Sequence, residues 1–195
     1  MKPYYQDGYV TIYHGDCREI MPKLGRFALI LTDPPFGIGF ASQPCAYQRA
    51  AGMKPKAWDD DAPDATLIAQ MRSHAEKQVI WGGNYFTHAL PPSRGWLSWF
   101  KPDAPPSMGH FELAWTSEDR ITRQISQSIS ATNSERLGHP TQKPLAVISW
   151  CLQQFPDAHT VFDPFGGSGT TGRACKDRGL SCTLIERDEE YCEMA

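Results

Sequence analysis

Long apolar runs are absent from this 195-residue sequence: none approaches the ~18 residues that a helix needs to cross a bilayer. No charged-then-apolar leader follows Met1, and there is no internal repeat or low-complexity tail. The six cysteines include no C-x-x-C pair, so neither a zinc cage nor a disulfide framework is indicated. We therefore expect a cytoplasmic protein with reduced thiols, no metal site and, at this length, one domain over residues 1–195.

A strong excess of positive charge is also absent, because the net charge is −3. That balance excludes a globally basic nucleic-acid-binding protein, so any surface for nucleic acid must be local. Two loop-like stretches, residues 36–58 and 120–143, each carry a local charge of +3. Solvated surface loops are nearly as good an interpretation of them as phosphate contacts. The candidate phosphate-binding residues are Arg49, Lys54, Lys56, Arg120, Arg123 and Arg136.

A glycine-rich turn follows a short apolar run near the C-terminal end of the sequence. The run leads into Asp163-Pro164-Phe165, then Gly166-Gly167-Ser168-Gly169-Thr170-Thr171. Glycine permits positive φ and close backbone approach, and the start of the following helix offers unpaired N–H groups. The spacing matches neither G-x-G-x-x-G nor the phosphate-binding P-loop. The turn predicts a site for a nucleoside-like cofactor, with a purely structural loop as the alternative.

A second apolar run, residues 180–185, ends in Glu186. An acidic residue about 20 positions past a glycine turn, at the end of a strand, is well placed to accept hydrogen bonds from ribose hydroxyls. For this position taken alone, a solvated glutamate at a strand end is the better interpretation. Its distance from the glycine turn favours a role at the same site.

The rest of the sequence alternates strands with helices. We predict strands at 9–13, 27–31 and 78–81, helices at 64–77, 145–154 and 171–178, and two antiparallel strands at 96–100 and 111–115. Residues 36–58 and 121–138 are predicted to be loops. This alternation indicates an α/β fold with a doubly wound, mostly parallel sheet. Asp16, Asp33 and the glycine turn would then share its carboxyl edge, where ligands bind.

The turn after the strand at 27–31 carries Asp33-Pro34-Pro35-Phe36. Proline has no amide donor and disfavours helix at the preceding residue, so Asp33 lies where a central strand ends. The two prolines hold the turn stiff. Trp58, Trp96, Trp99 and Trp115 are predicted to be core residues, because buried aromatics are the commoner case.

Three motifs together resemble the S-adenosylmethionine-dependent DNA amino-methyltransferases. They are DPPF at 33–36, HPTQKP at 139–144 and FDPFGGSGTT at 162–171, and GDC at 15–17 fits as well. Their order, with the DPPF motif before the glycine turn, resembles the beta group of that family. The resemblance spans residues 15–186 and implies a Rossmann-like, seven-stranded sheet with permuted motif order, in which 111–115 is the antiparallel strand.

The resemblance also implies roles for individual residues. Asp16 would accept from the cofactor's adenine amino group, Glu186 would hold its ribose, and Phe165 would pack on the adenosyl side. Gly167–Thr170 would line the methionine end, helped by Gln142 and Lys143. The full cofactor-binding set is Asp16, Cys17, Gln142, Lys143, Asp163, Pro164, Phe165, Gly166, Gly167, Ser168, Gly169, Thr170 and Glu186.

The chemistry assigned to the DPPF turn is transfer of a methyl group to an exocyclic amine. The catalytic set is Asp33, Pro34, Pro35 and Phe36: the Asp33 carboxylate and the Pro34 carbonyl each accept an amine proton, and Phe36 stacks on the base. The family's tetrapeptide more often ends in Tyr, so a tyrosine hydroxyl takes no part here. The base must leave the duplex stack to be reached.

The resemblance further implies adenine N6 in double-stranded DNA as the substrate, because the family's cytosine N4 enzymes more often carry Ser where this sequence has Asp33. The alternative substrates are cytosine N4 and an amine in RNA or protein. The alternative to an enzyme is a non-catalytic relative that binds nucleic acid. Residues 86–138 are the candidate target-recognition insert. A homodimer is possible, and a restriction nuclease partner is left open.

Overall fold

The computed structural model describes residues 1–39, 42, 56, 58–106, 108–133 and 141–195. Its strands are β1 (Tyr5–Gln6), β2 (Val10–His14), β3 (Phe27–Thr32), β4 (Ala75–Trp81), β5 (Trp96–Phe100), β6 (Phe111–Thr116), β7 (Arg123–Ser126), β8 (Thr160–Asp163) and β9 (Ser181–Glu186). Its helices are α1 (Cys17–Ile20), α2 (Ala65–Ser73), α3 (Ile129–Asn133), α4 (Leu145–Gln153), α5 (Thr170–Lys176) and α6 (Glu189–Met194), with short 3₁₀ turns at Met21–Lys23 and Gly83–Tyr85.

The strands form one sheet in the order β1-β2-β9-β8-β3-β4-β6-β5-β7. Strands β2, β9, β8, β3 and β4 are mutually parallel, and β6 runs antiparallel between β4 and β5. The predicted α/β class and mostly parallel sheet are confirmed. The seven strands from β2 to β5 form the predicted set, with β6 as the antiparallel member. The short β1 and the edge strand β7 bring the total to nine.

Helices cover both faces of the sheet because its central strands are apolar on both faces. Along β3, Leu29 and Leu31 pack in the cluster that includes helices α4 and α5, while Ile30 packs in the cluster with α1 and α2. Successive side chains of a strand point to opposite faces, so an uninterrupted apolar run buries both. The doubly wound arrangement therefore follows from the composition of β3.

Two element predictions were wrong. The helix predicted over 64–77 is only α2: Asp64 caps its start by accepting from Leu67 N–H at 2.7 Å, and the helix stops at Ser73. Residues from Ala75 onward pair with β3 instead, because parallel pairing there buries apolar surface on both faces. The stretch 121–138, predicted to be loop, contains β7 and α3.

Among the residues that the structure describes, no helix combines the length and apolarity needed to span a bilayer. The same residues hold no group of three or more His, Cys, Asp and Glu side chains arranged to bind a metal ion. The described cysteines, Cys17, Cys151, Cys175, Cys182 and Cys192, are free and buried.

Candidate active site

The ends of the parallel strands bring the predicted site residues to one edge of the sheet. Asp16 follows β2, Asp33 follows β3, the glycine turn follows β8, and Glu186 ends β9. A cavity of about 370 Å³ opens at this carboxyl edge. Every predicted cofactor-binding residue lines it except Pro164 and Gly169.

The glycine turn uses a left-handed backbone at Gly167 (φ 50°) and Gly169 (φ 76°). Gly166 N–H donates to the Ile185 carbonyl at 2.8 Å, which ties the turn to the end of β9. A Cβ at Gly169 would lie 2.6 Å from the Ala195 Cα. The absence of a side chain at Gly169 therefore allows the C-terminal residue to pack against the turn. Only glycine adopts these angles without strain.

Glu186 is bound to the backbone on both oxygens. Its Oε2 accepts from Gly167 N–H and its Oε1 from Asp188 N–H, each at 2.7 Å. Burial raises the pKa of Glu186, and these backbone donors oppose that shift. A carboxylate oxygen has a second lone pair, so both oxygens keep acceptor capacity toward the cavity. Glu186 therefore shapes the glycine turn as well as facing the cavity.

Asp163 accepts hydrogen bonds from three protein groups. Thr32 Oγ1 and Thr171 Oγ1 each donate at 2.7 Å, and Phe165 N–H donates at 3.0 Å. Burial raises the pKa of Asp163 to about 7, against the effect of these donors. The contacts join β3, the glycine turn and α5. Asp163 also lines the cavity, and its place in the cofactor-binding set stays a prediction.

Asp16 and Cys17 line the cavity from the start of α1. Asp16 Oδ1 accepts from Arg18 N–H at 2.8 Å and caps the helix, while its carboxylate remains partly exposed. Cys17 is buried, and burial raises the pKa of its thiol to about 11. The thiol is therefore neutral at physiological pH and acts as an apolar wall.

The DPPF turn is held in place by Asp59, which the sequence analysis missed. Asp59 is 3% exposed, and its Oδ1 accepts from Phe36 N–H at 2.8 Å and from Gly37 N–H at 3.3 Å. These bonds fix the backbone directly after the two prolines. Asp59 lies 23 positions after Phe36, beyond the basic loop, so no local sequence signal could have paired them.

Asp33 forms a buried ion pair with Lys143, whose Nζ lies 2.6 Å from Asp33 Oδ2. The same ammonium lies 2.9 Å from Glu112 Oε2, and Lys101 donates to Glu112 Oε1. Burial raises the pKa of Asp33, and Lys143 opposes that shift. The two ammonium groups together hold the pKa of Glu112 at about 2, although burial alone would raise it. Asp33 Oδ1 is buried and has no hydrogen-bond partner among the described residues.

A second cavity, of about 260 Å³, adjoins the first and shares six lining residues with it: Asp33, Pro35, Trp58, Thr141, Gln142 and Lys143. Pro34 and Phe36 of the catalytic set line only this one. Further lining residues come from three strand ends and their loops: Asn84, Tyr85, Lys101, Met108, Phe111 and Glu112. The two cavities meet at the predicted catalytic aspartate.

Tyr85 is the second residue that the sequence analysis missed. Its ring stacks on Phe36, with 4.8 Å between centroids and 12° between planes, and it is 45% exposed. Tyr85 follows β4 in the sequence Gly82-Gly83-Asn84-Tyr85. The carboxyl-edge rule that identified Asp33 applies equally to this strand end and could have found it.

The structure describes three of the six predicted phosphate-binding residues, Lys56, Arg120 and Arg123. Arg49, Lys54 and Arg136 lie outside the described residues, as do His139 and Pro140 of the HPTQKP motif. Lys56 lies 2.5 Å from Asp188 Oδ2 and 2.8 Å from Glu190 Oε2, so protein carboxylates already pair its charge.

Arg120 and Arg123 require a correction. Arg123 begins β7, which runs parallel to β5, so it lies at the amino edge of the sheet, opposite the cavities. Arg120 donates to the Gln154 carbonyl at 3.1 Å and packs over Phe155 just beyond α4. Arg120 and Arg123 are near Lys143 in the sequence, but they lie at the opposite edge of the sheet from it.

Comparisons with known proteins identify the family of this chain. A family model described as DNA methylase, for N6 and N4 enzymes, matches residues 72–195. The type II methyltransferase M.ScaI of Streptomyces caespitosus is 22% identical over 252 aligned residues, covering all of this chain and 82% of that protein. M2.MboI of Moraxella bovis is 24% identical over 245, covering all of this chain and 90% of that one.

Solved structures share the fold. The M1.HpyAVI–SAM complex superposes with a TM-score of 0.65 at 22% identity, covering 95% of this chain and 98% of that one. The cytosine-N4-specific PvuII DNA methyltransferase gives 0.65 at 19% identity, covering 97% and 86%. Since the family model matches more than half of the chain, this protein belongs to the N6/N4 DNA methylases, which are S-adenosylmethionine-dependent DNA amino-methyltransferases.

Proposed function

We propose that this DNA amino-methyltransferase modifies adenine N6 in double-stranded DNA at a specific site. The observation that carries the proposal is Asp33 Oδ1, a buried acceptor with no hydrogen-bond partner in the described part of the chain, where the two cavities meet. A buried, unpaired acceptor is costly unless a ligand uses it. An amine N–H is the donor that this oxygen lacks.

The larger cavity fits S-adenosylmethionine. Its volume of about 370 Å³ is within the range of small-molecule sites. Its walls combine the open backbone of the glycine turn, acceptors at Asp16 and Glu186 for amino and hydroxyl groups, and apolar surface from Phe165. We infer that Glu186 and Asp16 hold the adenosine, and that Gly167–Thr170 line the methionine end.

When bound, S-adenosylmethionine supplies a methyl group on a sulfonium, which the amine nitrogen takes with its lone pair while the sulfur keeps the electrons of the broken bond. The base amine is a weak nucleophile because its lone pair is delocalised into the ring. Asp33 Oδ1 and the Pro34 carbonyl accept its two N–H groups and favour a pyramidal nitrogen. One of these protons then passes to Asp33 and on to solvent.

The smaller cavity is proposed to hold the target base after the base has flipped out of the duplex. Phe36, backed by the ring of Tyr85, offers an aromatic face beside Asp33. Base–aromatic stacking is sequence-tolerant and contributes about 1–3 kcal/mol per base. The loops of residues 86–138 that line this cavity, around Lys101 and Met108, support a target-recognition role for that stretch within a single domain of residues 1–195.

Cytosine N4 is the second candidate substrate. The PvuII DNA methyltransferase, which shares the fold, is cytosine-N4-specific. Asp33, rather than a serine, favours adenine by family pattern. The chemistry at Asp33 and Pro34 suits both amines, and the base that the smaller cavity admits decides between them.

The type II names of the relatives favour a restriction–modification role with a separate nuclease. A homodimer on DNA stays a proposal. The test of the function is transfer of labelled methyl groups from S-adenosylmethionine to duplex DNA, RNA and protein, followed by nucleoside analysis of the DNA. We expect N6-methyladenine in duplex DNA. N4-methylcytosine as sole product would overturn the adenine assignment, and labelling of RNA or protein alone would overturn DNA as substrate.

A further inference from the structure

Four side chains of alternating charge form a continuous row from the DPPF turn to the strand β6: Asp33, Lys143, Glu112 and Lys101. Lys143 Nζ lies 2.6 Å from Asp33 Oδ2 and 2.9 Å from Glu112 Oε2. Glu112, on β6, also accepts from Lys101, whose ammonium lies 4.7 Å from the centroid of the Trp99 ring. The side chains of Lys143 and Lys101 are only 6% and 8% exposed. Paired, buried cations of this kind have fixed positions because leaving either charge unpaired is costly.

We propose that Lys143, held by Glu112, is a positioning residue for Asp33: it occupies Oδ2, leaves Oδ1 for the target amine and keeps the carboxylate charged. This inference rests on the proposed function and deepens it. The sequence resemblance suggested that Lys143 helps to hold the cofactor. The structure gives its ammonium two carboxylate partners: Glu112, which lines only the second cavity, and Asp33, where the two cavities meet.

The physical reason is the burial of Asp33. The charged groups that face it are Lys143, Glu112, Asp59 and Asp163, so Lys143 is the one cation among three carboxylates in the described part of the chain. Burial and the carboxylates raise the pKa of Asp33, and Lys143 lowers it. A protonated Asp33 would offer the amine a weaker acceptor. Lys143 therefore extends to lower pH the range in which Asp33 is charged.

Removing the charge of Lys143 and removing the charge of Glu112 should shift the titration of Asp33 in opposite directions. Lys143→Met removes the stabilising cation, so Asp33 should titrate at higher pH. Glu112→Gln removes a repelling anion while keeping the side chain's size, so Asp33 should titrate at lower pH. Lys143→Arg keeps the cation, so Asp33 should titrate close to its wild-type pH. A residue that only fills space would not move the titration of Asp33 in opposite directions in these two variants.

The first measurement uses the full chain without cofactor or DNA. The infrared carboxyl band that Asp33→Asn removes is followed through a pH titration in each variant, and this readout does not depend on activity. The second is the pH profile of kcat at saturating S-adenosylmethionine and duplex DNA. We expect the acid limb for Lys143→Met to move to higher pH, with kcat at neutral pH lowered about 10–100-fold, the cost typical of losing an outer-shell partner.

The control is Lys176→Met, which removes an exposed lysine paired with Asp7 at the far end of α5. Titration of Asp33 at the wild-type pH in Lys143→Met and Glu112→Gln would overturn the inference. So would a weakened affinity for S-adenosylmethionine with an unmoved Asp33 titration, since Lys143 would then be a cofactor ligand. If Lys143→Met does not fold, Glu112→Gln and Lys143→Arg still decide. A wild-type protein without methyl transfer to DNA would refute the proposed function instead, and the infrared titration would still test the pairing.

Discussion

Gly82 lies directly against the ring of Phe36: a Cβ at position 82 would fall 2.1 Å from Phe36 Cε1. Gly82 also has a left-handed backbone, with φ 69°. Its N–H donates to the Leu113 carbonyl at 2.8 Å, which fixes the turn after β4 to β6. The position of the Phe36 ring in the second cavity therefore depends on the absence of a side chain at Gly82, directly after β4.

We expect Gly82→Ala to displace Phe36 and to weaken use of DNA without affecting cofactor affinity. The added methyl group clashes with the ring, and the backbone is strained for any residue with a Cβ. KM for duplex DNA should rise by about 10-fold or more, the scale of losing one stacked base. Gly25→Ala is the matched control, because a Cβ there meets nothing within 4 Å. An unchanged KM in folded Gly82→Ala would show that Phe36 does not contact the base.

Asp33→Asn tests whether the charge of the catalytic acceptor matters. The variant keeps the size and one acceptor oxygen, but it removes one of the two carboxylates that pair with Lys143. Methyl transfer should fall by about 10²–10³, the range for losing one preorganised electrostatic contact. Calorimetry should find S-adenosylmethionine binding with a modest change, because the glycine turn and Glu186 are untouched. Wild-type turnover in folded Asp33→Asn would leave Asp33 with a geometric role alone, and wild-type turnover in Asp33→Ala would remove it from catalysis.

Gly167→Val should abolish binding of S-adenosylmethionine. Valine resists the left-handed φ of 50°, and straightening the turn would break the bond from Gly167 N–H to Glu186. Calorimetry measures the loss, and circular dichroism checks that the sheet persists. Gly8→Val is the control, since a Cβ at that exposed turn meets nothing within 4 Å. Undiminished affinity in the folded variant would contradict our placement of the cofactor.

Asp163 should make the protein less stable as pH rises. Its folded-state pKa of about 7 lies above the unfolded value, so its contribution is fully present below pH ~4 and is lost as pH rises through 7. The slope contributed by this group is up to about 1.4 kcal/mol per pH unit within that window. Urea unfolding of Asp163→Asn across pH 4–8 should lack this component.

Asp157→Asn, at an exposed position, is the control for removal of an aspartate. It should keep the wild-type dependence of the free energy of unfolding on pH. If Asp163→Asn retained that dependence as well, Asp163 would be charged throughout and its burial would be offset by the three donors.

Local sequence patterns were enough to predict several strands and the turns that end them. The apolar run of β3, the stop at Asp33-Pro34-Pro35 and the glycine turn after β8 predict strand ends because backbone angles and missing donors act within a few residues. Parallel strands then bring Asp16, Asp33 and Glu186 to one edge by topology alone. For this reason the sheet class and the family were accessible from sequence.

Tertiary structure alone decided which charges meet. Asp33 and Lys143 are 110 residues apart, and Glu112 joins them only because β6 inserts beside β4. The same topology moved Arg120 and Arg123 to the opposite edge, although they are closer to Lys143 in sequence than Asp33 is. Ion pairs depend on distance in space and on burial, and neither can be obtained from local sequence patterns. The sequence thus determined which strand ends form the candidate site, and the folded sheet determined which charged groups contact Asp33.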